Sequence, residues 1–182
     1  MEIETEKLVR KAKKGNRKAL ELLLKENYQQ MYKTALIYVK NEQDALDVVQ
    51  ETAYKVTMKL DTLKENQYFK TWLIKILIRC AYDVLDKKKP VEDLNQVSQT
   101  KFSSESENPN QQQIEHLTLF EAIEKLPLNY QNVVILFYFQ DFSIKEIATI
   151  VMYPEGTVKY NLHEARKTLK KTTRRSEVGW II

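Results

Sequence analysis

The stretch from Gly156 to Lys171, GTVKYNLHEARKTLKK, sets Lys159, His163, Arg166, Lys167, Lys170 and Lys171 against a single acid, Glu164. Its apolar residues Val158, Leu162, Ala165 and Leu169 recur at steps of three or four, the period of a helix with one packed face. Such a helix presents either a solvated basic surface or one that lies along a nucleic-acid backbone, with Lys and Arg neutralising phosphates and early residues reaching base edges. The residues upstream bear on that choice. Ser143 and Glu146 have capping-box spacing, and Ile144, Ile147, Ala148 and Val151 then mark about two turns of helix. The turn MYP follows, with Pro154 placed where a helix start tolerates a missing N–H and Ala148 small enough for two helices to cross closely. This pattern predicts a helix-turn-helix and favours groove binding over a merely solvated face. Met152 stands where such turns usually carry glycine, and a left-handed backbone there would cost Met about 1 kcal/mol.

Two further constellations could do chemistry. Asp44, Asp47 and Glu51 fall at i, i+3 and i+7, so one helix carries an acidic stripe beside an apolar one, either solvated or facing a basic partner. Tyr68, Phe69 and Trp72 alternate with Lys70, Lys75 and Arg79, the mixture expected where single-stranded bases stack and phosphates are neutralised. Trp72 itself falls on an apolar stripe and is assigned to the core, which leaves the loop before it as the better binding candidate.

The elements that must position these residues are helices. Glycine occurs only at positions 15, 156 and 179, and the long segments follow helical rather than alternating periodicity. Apolar stripes run through Leu20, Leu23, Leu24, Tyr28, Met31, Tyr32, Ala35 and Leu36, through Ala45, Val48, Val49, Ala53 and Val56, and through Trp72, Leu73, Ile76, Leu77, Ala81 and Leu85. Ile114, Leu117, Phe120, Ile123 and Leu126 mark another before Pro127. The run VVILFYF, Val133 to Phe139, suits a strand as well as a helix by composition and reads as helix from its context. Between the two blocks, residues 91–113 are rich in Ser, Asn and Gln and poor in large apolar side chains, which predicts a flexible linker. The expected fold is therefore all-α, with one small helical domain over residues 1–90, the linker over 91–113, a second domain over 114–175 ending in the helix-turn-helix, and a short tail over 176–182.

Composition narrows the function. With 182 residues and 43% hydrophobic content the chain can bury a core in each domain. No run approaches the roughly 18 uncharged apolar residues of a membrane span, and the N-terminus is unlike a signal peptide, so a cytoplasmic protein is expected. Cys80 is alone and sits among apolar residues, and with His116 and His163 it forms no zinc-ligand pattern. The chain has no glycine-rich phosphate loop and no nucleophile paired with a base, so no metal, cofactor or small-molecule substrate is expected, and no enzymatic activity. From Lys159 to Arg175 seven Lys and Arg stand against Glu164, more positive charge than the whole chain's net +4.

The chain resembles the bacterial extracytoplasmic-function sigma factors over nearly its full length. NEQDALDVVQETAYKV is similar to their core-binding segment, YFKTWLIKILIRCAYDVLDKKK to their promoter-melting segment, and LPLNYQNVVILFYFQDFSIKEIATIVMYPEGTVKYNLHEARKTL to their C-terminal helix-turn-helix domain. The resemblance implies a promoter-specificity subunit whose partners are core RNA polymerase, through the clamp helices of its largest subunit and the flap, promoter DNA, and an anti-sigma factor. It makes Asp44, Asp47, Gln50 and Glu51 the polymerase contacts. It makes Asn66, Tyr68, Lys70, Lys75 and Arg79 the downstream-element contacts, with the loop Leu63 to Tyr68 capturing a base flipped from the non-template strand. It makes Thr157, Lys159, Tyr160, Asn161, His163, Arg166 and Lys167 the upstream-element contacts, with Asn161 able to pair with adenine and Tyr160 to touch a thymine methyl. The chain departs from the family pattern at Ile78-Arg79, where Arg-Asn is common, at Tyr160-Asn161, where Ser-Arg is common, and at Glu164, where a basic residue is frequent. A stand-alone helix-turn-helix regulator is the competing reading, but it gives the first block no role. A helical interaction protein that keeps only the fold is a third.

Overall fold

The computed structural model describes residues 2–88 and 121–173, and among them every regular element is helical. The proposed linker over 91–113, the helix start at 114–120 and the tail lie outside the described residues. Two compact units are formed, one from each segment.

The first unit contains α1 (Glu2–Lys13), α2 (Arg17–Val39), α3 (Glu42–Lys59) and α4 (Phe69–Lys88). Local chemistry sets the breaks. Gly15 takes φ 83 after α1, and Asn16 then caps α2, its side chain accepting from the Ala19 N–H at 3.0 Å. Lys40 closes α2 in the left-handed region, its N–H donating to the Leu36 carbonyl at 2.8 Å, and Asn41 caps α3 by accepting from the Asp44 N–H at 3.0 Å. Each side-chain cap is worth about 1 kcal/mol. Such short turns force neighbouring helices together, and α2 packs on all three others around Leu23, Met31, Val48, Val56, Phe69, Leu73 and Leu77. Two single-turn 3-10 helices, Leu60–Thr62 and Asn66–Tyr68, bridge α3 to α4.

The stripes differ from expectation in phase. On α2 the buried line runs through Leu23, Asn27, Met31, Thr34 and Tyr38, while Tyr28 is exposed and stacks on Tyr32. Polar residues join the core because the helix satisfies them: Asn27 Nδ2 donates to the Leu23 carbonyl at 2.8 Å and Thr34 Oγ1 to the Gln30 carbonyl at 2.6 Å. On α4, Phe69, Ile74, Ile78 and Cys80 are buried, whereas Trp72, Ile76 and Leu85 are only half-buried. Trp72 is thus not the core residue its stripe suggested.

In the second unit residues 121–124 are helical, with Ile123 and Leu126 buried before the break at Pro127. Gln131 Nε2 seals that break by donating to the Glu124 and Leu126 carbonyls, both at 2.8 Å. α5 (Leu128–Val134) runs into a π-helical turn, Ile135–Phe139, so the VVILFYF run is helical. α6 (Ile144–Val151) and α7 (Glu155–Thr173) follow. α7 packs on α5 and α6 through Val158, Leu162, Ala165 and Leu169. The capping box at α6 is complete, with Ser143 Oγ accepting from the Glu146 N–H and Glu146 accepting from the Ser143 N–H at 2.9 Å. Met152 ends α6 at φ 58, and Ala148 O accepts from both the Met152 and Tyr153 N–H groups, so the left-handed turn is made without glycine. Because Met152 is 68% exposed and contributes little packing, Met152→Gly should stabilise the second unit by about 0.5–1 kcal/mol, read as a higher urea midpoint.

Candidate nucleic-acid interface

α7 has a packed arc and a free arc. Thr157, Lys159, Tyr160, His163, Arg166 and Lys167 are all exposed, joined by Gly156, Lys170 and Lys171. The expectation for Asn161 does not fit this geometry: it is 3% exposed and belongs to the packed arc, so its amide cannot reach a base edge. Its Nδ2 is buried without a hydrogen-bond partner, which costs about 1–3 kcal/mol. Tyr160, 60% exposed, keeps its place on the free arc. The Tyr130 hydroxyl from α5 sits near it and is held above the ordinary tyrosine range, first by partial desolvation and then by Tyr160 and Glu164.

Arg166 is positioned by residues that no sequence motif identified. Its Nε donates to the Tyr138 hydroxyl at 2.6 Å, and its guanidinium carbon lies 5.5 Å from the ring centroids of both Phe137 and Tyr138. These rings meet edge to face on the π-helical turn, at 5.1 Å. A guanidinium held this way keeps donors for a phosphate while losing rotamer freedom before binding. Glu164 lies 3.6 Å from Lys167 and 4.0 Å from His163, the latter an ion pair only when the imidazole is protonated. This acid partly offsets the basic arc from within.

In the first unit α3 and α4 enclose an open groove of about 500 Å³. Lys75 and Arg79 line it together with Trp72, Tyr82, Lys55, Lys59 and Asp83, none of these five singled out for binding by the sequence. Aromatic faces with four cations around them suit stacked bases and their phosphates. Lys55 is braced from both sides, 3.4 Å from Glu51 and 3.1 Å from Asp83. Desolvation lowers its pKa, but the Asp83 hydrogen bond and the neighbouring Cys80 outweigh that and leave the ammonium above the ordinary lysine range. Asn66, Tyr68 and Lys70 do not line the groove. They belong to the preceding loop and the first turn of α4, where Tyr68 and Lys70 are exposed and Asn66 is half-buried.

The acidic stripe on α3 is also divided by packing. Asp47, Gln50 and Glu51 are exposed, and Tyr54 and Met58, 62% and 66% exposed, extend the same face toward the helix end. Asp44 departs from the expectation of an outside contact: it is buried, and its carboxylate accepts from Lys88 Nζ at the far end of α4. The pairing also places an acid in the first turn of α3, where the helix dipole favours it.

Comparison with known proteins matches both units. The Sigma-70 region 2 family model covers residues 23–91 and the Sigma-70, region 4 model covers residues 116–169. The RNA polymerase sigma factor SigV of Bacillus subtilis is 32% identical over 160 residues, 88% of this chain and 94% of that protein. The ECF RNA polymerase sigma-E factor of Escherichia coli K12 is 30% identical over 173 residues, 89% of this chain and 90% of that one. Among solved structures, CnrH in complex with the cytosolic domain of CnrY superposes with a TM-score of 0.73 at 19% identity, over 96% of this chain and 99% of that one. The sigma factor RpoE in complex with the anti-sigma factor NepR from Bartonella quintana gives 0.64 at 22%, over 88% and 98%. A stand-alone regulator would leave the region 2 match and the α3–α4 groove without a role. The chain belongs to the ECF RNA polymerase sigma factors, DNA-binding proteins that direct promoter-specific transcription initiation.

Proposed function

We propose that the two units divide the promoter between them. The domain over residues 1–90 holds core polymerase and opens the downstream element, the one over 114–175 binds the upstream element as duplex, and residues 91–113 connect them. The observation that carries this reading is the segregated circumference of α7, with Val158, Leu162, Ala165 and Leu169 packed and its cations outward.

In this reading Arg166 and Lys167 neutralise phosphates, Thr157 and Lys159 approach the duplex at the helix start, His163 lies at its edge, and Tyr160 meets a base. Asp47, Gln50 and Glu51 contact the clamp helices of the largest polymerase subunit, with Tyr54 and Met58 adding apolar contact, and the second domain meets the flap. Lys75 and Arg79, with Trp72, hold the strand of the downstream element. The loop Leu63 to Tyr68 takes an extruded base: Leu63 and Phe69 anchor its ends in the core, while Lys64, Gln67 and Tyr68 face outward with Asn66 half-buried behind them. In this reading the protein acts on core polymerase and so in the cytoplasm; no described helix is long and apolar enough to cross a membrane. The complexes of CnrH with CnrY and of RpoE with NepR support an anti-sigma partner for this chain as well.

The test is transcription by purified bacterial core polymerase on a randomised promoter library, with and without the protein. Protein-dependent transcripts sharing two spaced upstream motifs are expected; duplex binding with no such transcripts would overturn the reading. Arg166→Ala and Lys167→Ala should each weaken binding across all sequences and reduce the slope of log affinity against log salt by about 1. Tyr160→Ala should instead change which upstream sequence is selected, whereas Asn161→Leu should leave selection unchanged and raise the unfolding midpoint. Glu51→Lys should cut core-polymerase affinity at least about tenfold in a fluorescence titration, with duplex binding by the second unit unaffected.

A further inference from the structure

α1 contributes no residue to the sites above, yet it packs against the 3-10 turn Leu60–Thr62 that leads into the loop Leu63 to Tyr68 and against the turn Asn66–Tyr68 that forms the loop's second half. Val9 and Ala12 bury its inner face, and Lys13, one residue further on, is half-buried and donates from Nζ to the Leu63 carbonyl. The position of Lys13 is fixed from behind. Gly15 N–H donates to the Ala12 carbonyl at 2.9 Å and Asn16 N–H to the Lys11 carbonyl at 3.1 Å, so the chain folds back at the end of α1 and leads into capped α2.

The loop end that Lys13 reaches is itself well defined. Leu63 is 4% exposed, and its N–H donates to the Leu60 carbonyl at 3.1 Å. Its carbonyl begins the stretch that then runs outward through exposed Lys64 and Glu65. A cation on that carbonyl fixes the orientation of the peptide plane from which the exposed part departs, and a charge-assisted bond is stronger than a neutral one. Base selection by such a loop depends on sub-ångström placement of its donors and acceptors, so a group that orients the loop without touching DNA alters selectivity.

We propose that Lys13 is a positioning residue for the Leu63–Tyr68 loop, setting how sharply the loop discriminates the extruded base. This rests on the reading of that loop as the base-capture element, and the experiment separates the two. Full-length protein with core polymerase is assayed for open-complex formation by permanganate reactivity on its selected promoter and on single-base variants of the downstream element. Wild type and Tyr68→Ala first identify the position the loop reads. Lys13→Met should then lower discrimination at that position by about five- to tenfold, leave discrimination at other positions and upstream duplex affinity unchanged, and be rescued by Lys13→Arg. Undiminished discrimination in Lys13→Met, or a uniform loss across positions that follows a lower melting temperature, would overturn the proposal. If Tyr68→Ala and Gln67→Ala alter preference at no position, the base-capture reading itself fails and the role of Lys13 falls with it.

Discussion

A helix has one circumference, and each residue spent on packing is withdrawn from any partner. With about 100° between successive residues, the apolar line Val158, Leu162, Ala165 and Leu169 commits a broad arc of α7 to the core. Asn161, one turn from both Val158 and Ala165, flanks that line at its edge, and packing takes it in. The same rule works on α3, where Ala45, Val48, Val49, Thr52 and Val56 face inward and leave Asp47, Gln50, Glu51, Tyr54 and Met58 outside. On α4 it works in the opposite sense. Packing takes Phe69, Leu73, Ile74, Leu77 and Ile78, and this phase turns Trp72 and Lys75 toward the groove. Which residues can meet DNA or polymerase is therefore decided by the core before charge is considered.

Charge then acts on what the core leaves exposed, and much of it is held within the chain. Lys88 anchors Asp44 and joins the start of α3 to the end of α4. Lys55 lies between Glu51 and Asp83, so the acidic face and the groove share one ammonium. The two pairs of Lys55, whose acids are exposed, are worth about 0–1 kcal/mol and weaken with salt, so they orient side chains more than they stabilise the fold. The orientation has a use. A cation held extended in this way has less side-chain entropy to lose on meeting an anion, and Arg166 beside Phe137 and Tyr138 is held likewise.

The all-α architecture, the capping box at Ser143 and the left-handed turn at Met152 were legible because each rests on local chemistry at fixed spacing. The basic arc of α7 was legible for the same reason. Asp44 and Asn161 were misread because a stripe of polar residues does not reveal where packing draws its edge, and a one-residue change in that edge buries a candidate. Tyr138 and Lys59 were missed because their places arise across elements: Tyr138 meets Arg166 across 28 residues, and Lys59 shares a groove with Trp72 only when α3 and α4 come together. The residue types gave a hint in the second case, since aromatic and basic residues alternate on α4, but the cations that complete the groove lie on another helix.

Between Ile135 and Met152 the second unit departs from regular backbone three times. The π-helical turn widens the end of α5, Asp141 takes φ 54, and Met152 takes φ 58. A left-handed conformation costs a residue with a Cβ about 1 kcal/mol, less where Asp supplies local hydrogen bonds. The departures flank α6, which packs on α7. The capping box and the paired bonds to the Ala148 carbonyl fix the two ends of α6, while Ile147 and Ile150 fix its face. The π-helical turn shifts the phase of every residue after it, and the residues it moves include Phe137 and Tyr138, which it brings beside Arg166. The irregular segment thus carries both the turn into α7 and the rings beside one of its cations.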